Sequence, residues 1–254
     1  MELRFDGQVA LITGSSTGIG AALARAFGAA GASVVVHYGS SADAARSVAH
    51  DIEAAGGAAL VAQADITNTT QLEAMRDATL ERFGRIDILI NNAGSMVKRV
   101  PIADSSDEIA REVFDINFIS TVAMSRLVVP AMRSQGRGNI INVTSVAARH
   151  GGGGGAVLYA ASKGAVSTFT RGLAKELAPS NIRVNALAPG VIVTPFHDRF
   201  TNQQQMDAMV ATIPMGRAGT PEECVGAVFF LAADALSGYI TGQIIEVNGG
   251  QYMP

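Results

Sequence analysis

Short apolar runs rich in valine and isoleucine alternate with longer segments of helical spacing, and this alternation constrains the fold more than any other feature. Continuous apolar strands joined by crossover helices require a parallel sheet that is covered on both faces. The sequence therefore predicts an α/β fold with a doubly wound parallel sheet. The predicted strands are Val9 to Ile12, Ser33 to Val36, Ala59 to Val61, Ile86 to Ile90, Asn139 to Val143, Ile182 to Leu187 and Ile244 to Val247. The predicted helices include Ala21 to Ala30, Asp43 to Ala55, Gln71 to Phe83, Asp107 to Met132, Leu158 to Leu177 and Glu222 to Ala233.

The domain organisation is predicted to be simple. No linker, charge block or fixed repeat divides the chain, so residues 1–254 are expected to form a single domain. The polar segment from Thr194 to Arg217 interrupts the alternation and resembles a substrate lid. With 48% hydrophobic and 16% charged residues, the chain has enough apolar side chains to bury a sizeable core.

Charge and hydropathy argue against several classes of partner. The net charge is −3 and the basic residues are scattered, which disfavours a nucleic-acid partner or an anionic membrane surface. The N-terminal residues do not resemble a signal peptide, and no apolar stretch approaches the length of a membrane span without polar interruption. We therefore expect a cytoplasmic protein without a membrane partner, and we predict no metal site.

A glycine-rich turn joins the first predicted strand to the first predicted helix. Its sequence runs from Thr13 to Gly20. Glycines at such a turn allow the backbone to approach a pyrophosphate, and the helix N-terminus then offers unpaired N–H groups to the phosphates. The turn predicts a Rossmann-like dinucleotide site whose contacts are Gly14, Ser16, Thr17, Gly18, Ile19 and Gly20.

The end of the second strand distinguishes the two nicotinamide cofactors. The chain has His37, Tyr38, Gly39, Ser40 and Ser41 here, with no carboxylate before the next helix to repel a 2′-phosphate. Both serines could hydrogen-bond that phosphate, and the histidine could assist. NADP is therefore the predicted cofactor, while NAD stays an alternative because no arginine or lysine stands at this turn.

Tyr159 and Lys163 carry the predicted chemistry. They lie four residues apart on one helix, so they share a face. A phenol is a poor base at neutral pH, but a nearby ammonium stabilises the phenolate. Ser145 ends the fifth predicted strand, where its hydroxyl could orient a substrate oxygen. The sequence thus predicts an oxidoreductase in which Tyr159 exchanges a proton with an alcohol or a carbonyl.

Together these motifs resemble the short-chain dehydrogenase/reductase family along nearly the whole chain. The cofactor turn, Asn91 to Gly94 and Pro189-Gly190 match family motifs, as do the glycine-containing segments at the C-terminus. The resemblance implies a carbonyl or alcohol oxidoreductase (EC 1.1.1.-) with the catalytic residues Asn117, Ser145, Tyr159 and Lys163. It also implies cofactor contacts at Tyr38, Ser40, Asp65, Ile66, Asn92, Ala93, Gly94, Tyr159, Lys163, Pro189, Gly190, Ile192 and Thr194.

Two assignments within this resemblance have alternatives. The family role of Asn117 is to hold a water that links Lys163 to solvent, but this asparagine could instead cap or kink its long helix. Ser145 precedes Tyr159 by one residue more than the family pattern, and the extra residue falls in the glycine run Gly151 to Gly155. Thr144 is therefore an alternative to Ser145. The run itself is expected to be a mobile loop or a neutral insertion.

The substrate is left open by the sequence. The predicted lid could accept an acyl chain, a steroid or a sugar. The ending Val247 to Met253 resembles that of reductases acting on 3-oxoacyl carrier-protein thioesters, and Arg133, Arg137 and Arg149 are sparse candidates for docking the acidic carrier. A sugar or polyol dehydrogenase is the alternative, and a non-catalytic cofactor-binding regulator is a third. The resemblance also implies a homotetramer formed through the two longest helices and the last strand.

Overall fold

Runs of β-branched residues form a parallel sheet at the centre of the computed structural model, which describes residues 3–254. Within these residues the sheet has seven strands in the order β3-β2-β1-β4-β5-β6-β7. The strands are β1 (Val9–Ile12), β2 (Ser33–Tyr38), β3 (Ala58–Gln63), β4 (Ile88–Asn91), β5 (Gly138–Val143), β6 (Ile182–Pro189) and β7 (Ile244–Val247). The predicted doubly wound parallel sheet is confirmed, and each predicted strand is present.

Helices connect successive strands and cover both faces of the sheet. They are α1 (Gly18–Ala29), α2 (Ala42–Ala54), α3 (Thr69–Phe83), α4 (Asp107–Phe114), α5 (Ser120–Gln135), α6 (Ala147–His150), α7 (Val157–Leu177), α8 (Pro195–Phe200), α9 (Gln203–Val210), α10 (Val225–Ala232) and α11 (Asp234–Ser237). A π-helical turn, Asp115–Ile119, joins α4 to α5. Short 3-10 helices span Ile102–Asp104, Ala178–Ser180 and Pro221–Cys224.

Alternate residues of the strands enter two apolar cores, one on each face. Ile12 faces the core formed with α1, α2 and α10, whereas Leu11 faces the core formed with α3, α5 and α7. In the first core the ring centroids of Phe5 and Phe229 lie 4.8 Å and 4.7 Å from that of Phe27. Burial on both faces explains why the strand sequences are continuously apolar rather than alternating.

The continuous helix Asp107–Gln135 is the one helix in the described part of the chain that is long and apolar enough to span a membrane by length and composition. More than half of its most apolar stretch is buried within the fold. Met124 and Val128 on this helix are fully buried in the second core. Its hydropathy is therefore accounted for by packing against the sheet.

The strand order reverses its direction at β1. This strand pairs with β2 on one side and with β4 on the other. The loops that leave the carboxyl ends of β1 and β4 consequently diverge toward opposite faces, and a crevice opens between them. Ligands of open α/β sheets bind at such a crevice.

Candidate active site

A cavity of about 1410 Å³ opens at the carboxyl edge of the sheet. Most of the predicted site residues line it, although they come from loops far apart in the chain. Gly20, Tyr38 and Asn117 do not line it. The predicted residues that do are Gly14, Ser16, Thr17, Gly18, Ile19, Ser40, Asp65, Ile66, Asn92, Ala93, Gly94, Ser145, Tyr159, Lys163, Pro189, Gly190, Ile192 and Thr194.

The glycine-rich turn after β1 is shaped by close approaches. Gly14 and Gly18 have φ values of 63° and 55°, which glycine adopts readily. A Cβ on Gly14 would lie 3.0 Å from the Cα of Ala93, and one on Gly20 would lie 2.5 Å from Nδ2 of Asn92. Gly14 therefore forms part of the cavity wall, whereas Gly20 allows the start of α1 to pack against the loop behind it.

Thr13 and Asn92 fasten the loop after β4 to this turn. The Asn92 side chain donates from Nδ2 to the main-chain oxygens of Thr13 and Gly14, at 2.9 and 3.0 Å. The Thr13 hydroxyl accepts from the backbone N–H groups of Asn92 and Ala93, both at 3.0 Å. The Asn92 side chain thus holds the loop after β4 against the glycine-rich turn after β1.

The residues at this end of the cavity fit a nicotinamide dinucleotide. Thr17, the N-cap of α1, makes no side-chain capping bond, so the first N–H groups of the helix remain available to a phosphate. At the far end, Oδ1 of Asp65 accepts from the N–H and the hydroxyl of Thr67, at 2.9 and 2.8 Å. These bonds lower the pKa of Asp65, so its carboxylate is ionised at neutral pH.

The residues at the end of β2 differ in part from their predicted roles in cofactor binding. His37 is buried, and its Nδ1 accepts from the N–H of Gly14 at 2.8 Å while its Nε2 lies 3.0 Å from the oxygen of Ala64. Both ring nitrogens are engaged by the backbone, and burial lowers the pKa of His37. His37 therefore cannot assist in holding a phosphate. Tyr38 packs against the apolar core, which leaves Ser40 and Ser41 on the cavity wall.

Tyr159, Lys163 and Ser145 meet on the opposite wall of the cavity. Nζ of Lys163 lies 5.9 Å from the centroid of the Tyr159 ring, on the same face of α7. Ser145 lies two residues beyond the end of β5 rather than within it, and its hydroxyl accepts from the N–H of Ala147 at 3.1 Å. The pair predicted from helical spacing and the serine predicted from a strand end are thus brought together.

Burial decides the protonation of this group. Desolvation raises the pKa of Tyr159 to about 12, although a hydrogen bond with Ser145 opposes the rise. Desolvation also lowers the pKa of Lys163 to about 8. Burial thus outweighs the stabilisation of the phenolate that the sequence predicts from Lys163. The phenol is protonated at neutral pH, the form that can donate a proton to a carbonyl oxygen.

The hydroxyl of Thr144, the alternative to that of Ser145, is engaged in hydrogen bonds within the cavity wall. Its hydroxyl donates to the main-chain oxygen of Lys163 at 2.8 Å and lies 2.8 Å from the hydroxyl of Ser167. Ser145, by contrast, lies beside the phenol of Tyr159, whose pKa its hydroxyl lowers. The geometry therefore favours Ser145 over Thr144 as the residue that orients a substrate oxygen.

Asn117 lies behind the wall, in the π-helical turn. Its Nδ2 donates to the oxygens of Ser95 and Val113 at 2.7 and 2.8 Å, and its Oδ1 accepts from the N–H of Ser95 at 3.0 Å. A Cβ on Gly94 would lie 2.7 Å from Asn117 Oδ1 and 3.1 Å from Nζ of Lys163. The side chain of Asn117 thus secures an irregular helical turn, and only a glycine separates it from the lysine.

The glycine run forms a defined turn before α7. Gly151, Gly152 and Gly155 have φ values of 85°, 79° and 75°. The Gly155 oxygen accepts from the N–H of Val100 at 3.0 Å, and a Cβ on Gly155 would lie 2.9 Å from this nitrogen. Backbone conformation or close packing therefore favours glycine at these three positions at least. A neutral insertion would place no such requirement on the residue.

The predicted lid contains α8 and α9, and both contribute to the cavity wall. Phe196 packs on Tyr159, with the two ring centroids 5.5 Å apart. Gln251 also lines the cavity, and the sequence analysis did not identify it as a site residue. Its Nε2 donates to the hydroxyl of Thr212 in the lid at 2.9 Å. Its Oε1 is buried and has no hydrogen-bond partner among the described residues. Only its place in the C-terminal family motif could have drawn attention to it.

The three candidate carrier-docking arginines do not form a patch at the cavity. Arg149 is paired with Glu246 at 2.8 Å. Arg137 precedes β5, at the amino edge of the sheet, and pairs with Asp87 at 3.4 Å. Arg133 lies in the last turn of the helix that leads to the same edge. Arg133 and Arg137 thus lie at the opposite edge of the sheet from the cavity, and their role in docking a carrier stays a prediction.

Known proteins are similar to this chain in sequence and in architecture. The family model described as enoyl-(acyl carrier protein) reductase matches residues 14–251. A 3-oxoacyl-[acyl-carrier-protein] reductase from Synechocystis sp. is 41% identical over 250 residues, covering 97% of each chain. The chain belongs to the short-chain dehydrogenase/reductase family. It is accordingly a nicotinamide-dependent oxidoreductase of class EC 1.1.1.-.

Solved structures of this family show a range of substrates. A 7α-hydroxysteroid dehydrogenase complexed with NADH and 7-oxo glycochenodeoxycholic acid has a TM-score of 0.92 and 37% identity, covering 98% of this chain and 96% of its own. An NADH-dependent reductase responsible for alginate metabolism has a TM-score of 0.87 and 36% identity, covering 98% of both chains. Similarity to family members therefore does not select one substrate.

Proposed function

We propose that this chain interconverts a carbonyl compound and a secondary alcohol, with Tyr159 as the proton donor in reduction and the acceptor in oxidation. The observation that carries the proposal is the convergence of Tyr159, Ser145 and Lys163 on one wall of the cavity. The nicotinamide dinucleotide supplies or accepts the hydride when it is bound. The protein provides the proton and orients the oxygen that receives it.

Each neighbouring residue has a proposed part in this reaction. Ser145 polarises the substrate oxygen, because its hydroxyl lies on the cavity wall beside the phenol that serves the same oxygen. Lys163 holds the ribose of the cofactor and supplies positive charge beside the phenol. Asn117 holds a water that relays protons from Lys163 toward solvent, and Thr194 binds the carboxamide of the cofactor.

The proposed cofactor is NADP(H), with NAD(H) as the alternative. Ser40 and Ser41 line the cavity beyond β2, and no carboxylate occupies the end of that strand. The correction at His37 leaves these two hydroxyls as the donors to a 2′-phosphate. Steady-state kinetics should give a lower KM for NADP(H). A preference of about tenfold or more for NAD(H), expressed in kcat/KM, contradicts this assignment.

The proposed substrate is a small carbonyl compound, and a 3-oxoacyl thioester is the first candidate because of the similarity to the Synechocystis reductase. A sugar or polyol is the second, since a reductase of alginate metabolism shares the fold. A screen of 3-oxoacyl thioesters, sugars, polyols and cyclic ketones with both cofactors distinguishes them. Cofactor binding without turnover of any compound would instead indicate a non-catalytic regulator.

We also propose a cytoplasmic homotetramer. Apolar side chains remain accessible where the family resemblance places the contacts: Ile244 and Ile245 on β7 are only partly buried, and Ile119 and Met253 are 50% and 78% exposed. Burying such a surface in a partner copy would remove apolar area from water. Light scattering tests the assembly, and a monomer at all protein concentrations contradicts it.

A further inference from the structure

Arg99 carries a positive charge into the lid side of the cavity without an ion-pair partner. Its guanidinium is partly buried, and it forms no ion pair with a carboxylate among residues 3–254. Nε donates to the oxygen of Phe200 and Nη1 to the oxygen of Gly154, both at 2.8 Å. Nη2 has no hydrogen bond to any described residue. A charged donor group therefore remains available to a ligand.

Among the other charged groups around this part of the cavity, Asp198 lines an adjoining pocket with Arg99 but forms no ion pair with it. His150, His197 and Arg199 also line the wall, and Glu112 is the acidic residue among the lining groups outside the adenine end. Burial is the larger cause that lowers the pKa of His197, the charge of Arg99 lowers it further, and Asp198 opposes both. This half of the cavity is therefore electrostatically suited to an anion.

Aromatic side chains separate this charge from the reacting group. The ring of Phe196 lies 5.5 Å from that of Tyr159 and 5.1 Å from that of Phe200, whose main-chain oxygen accepts from Arg99. A ligand that reaches both Tyr159 and Arg99 must pass along this apolar wall. Its anionic group is consequently several bonds from its carbonyl.

We propose that the substrate is an oxo acid whose carboxylate pairs with Arg99 while its carbonyl meets Tyr159. This inference rests on the proposed oxidoreductase function, and it favours an oxo acid over the thioester, sugar and polyol candidates named there. A guanidinium and a carboxylate match in geometry and in unit charge, and their hydrogen bonds are stronger than neutral ones. A phosphate dianion carries more charge than one guanidinium balances, so the carboxylate is the better match.

Arg99 also ties the loop after β4 to α8 and to the glycine run, and the test must separate this clamp from recognition of charge. Straight-chain oxo acids of increasing length are compared with their methyl esters, which keep the carbonyl and remove the negative charge. The wild-type enzyme should favour an acid over its ester in kcat/KM, most strongly at one chain length. Arg99→Gln should lower kcat/KM for that acid by about 10- to 100-fold and change the ester by less than about threefold.

Lys98→Gln is the matched control, because it removes an equal charge from the neighbouring exposed residue. It should leave the preference for the acid intact, and Arg99→Lys should restore part of it. Equal losses for acid and ester in Arg99→Gln would show a clamp only and overturn the proposal. A wild-type preference for oxo phosphate monoesters over all the acids would overturn the choice of carboxylate.

Binding separates failure of this inference from failure of the proposed function. Calorimetry on the cofactor-loaded protein measures the dissociation constants of the best acid and its ester without requiring turnover. Tighter binding of the acid that is lost in Arg99→Gln supports the inference even if no compound is reduced. Turnover of esters and acids at equal efficiency, with equal dissociation constants, retains the oxidoreductase and overturns the role of Arg99.

Discussion

Lys163 donates a hydrogen bond from Nζ to the main-chain oxygen of Val143, the last residue of β5, at 2.8 Å. The bond anchors α7 at the strand end from which Ser145 follows two residues later. The positions of the serine and the tyrosine are therefore set by one contact between a helix and a strand. The same contact holds a buried ammonium, which has a consequence for stability.

The stability of the protein should depend on the titration of Lys163. The pKa of the Lys163 ammonium is about 8 in the folded protein and 10.5 in an unfolded chain. Between these values the unfolded chain binds more protons, so the free energy of unfolding rises with pH. Across this window wild type should gain about 2 to 3 kcal/mol relative to Lys163→Met, as measured by urea denaturation at both ends.

Lys175→Met is the control for this measurement, because Lys175 is an exposed lysine on the same helix. It should follow the wild-type pH dependence. A Lys163→Met protein with the same dependence as wild type would show that the ammonium of Lys163 does not contribute.

Tyr159→Phe should lose nearly all turnover while it keeps the cofactor. The change removes the proton donor but retains the ring that packs on Phe196. We expect kcat to fall by about 100- to 10,000-fold, since this is the usual contribution of a positioned acid. Cofactor affinity, measured by fluorescence titration, should change by less than about threefold. Near-normal turnover in this variant would overturn the mechanism.

Ser145→Ala and Thr144→Val should separate catalysis from stability. Removing the Ser145 hydroxyl leaves the substrate oxygen without its partner and should lower kcat by about 100-fold. Removing the Thr144 hydroxyl breaks its bond to the oxygen of Lys163 and should lower the free energy of unfolding by about 1 kcal/mol with little loss of kcat. The reverse pattern of rates would assign the catalytic hydroxyl to Thr144.

Within the glycine run, Gly155→Ala and Gly153→Ala should differ. An alanine at 155 has an unfavourable φ of 75° and places its Cβ 2.9 Å from the Val100 nitrogen, which should lower the free energy of unfolding by about 1 to 3 kcal/mol. A Cβ at 153 meets no atom within 4 Å and should change stability by less than about 1 kcal/mol. Chemical denaturation of both variants checks this. Equal effects would contradict the packing argument.

The sheet could be predicted because its strands are buried on both faces and thus carry a continuous apolar signal. Boundaries were less accurate where polar residues are also buried: β4 begins at Ile88 rather than Ile86 and extends to Asn91. The π-helical turn around Asn117 was not predicted as such, because it depends on side-chain bonds to Ser95, which is distant in sequence.

The site was predictable to the extent that its residues act within one element or one motif. Tyr159 and Lys163 needed only helical spacing, and the glycine turn needed only its position after a strand. The predicted role of His37 in binding a phosphate was wrong, because the sequence does not reveal that backbone groups of Gly14 and Ala64 pair with both ring nitrogens. The contacts of Arg99 could not be predicted, because its two carbonyl partners lie 55 and 101 residues away in the sequence.

The two hydrogen bonds of Arg99 also bear on how this enzyme could be re-engineered. The glycine turn and the Asn92 contacts are built on the sheet, whereas the opposite side of the cavity is assembled from three loops that share this guanidinium. A loop exchanged alone would lose one carbonyl partner and disturb the other two segments. Altered selectivity should therefore come more readily from variants in which residues 95–101, 151–155 and 195–200 are varied as one set.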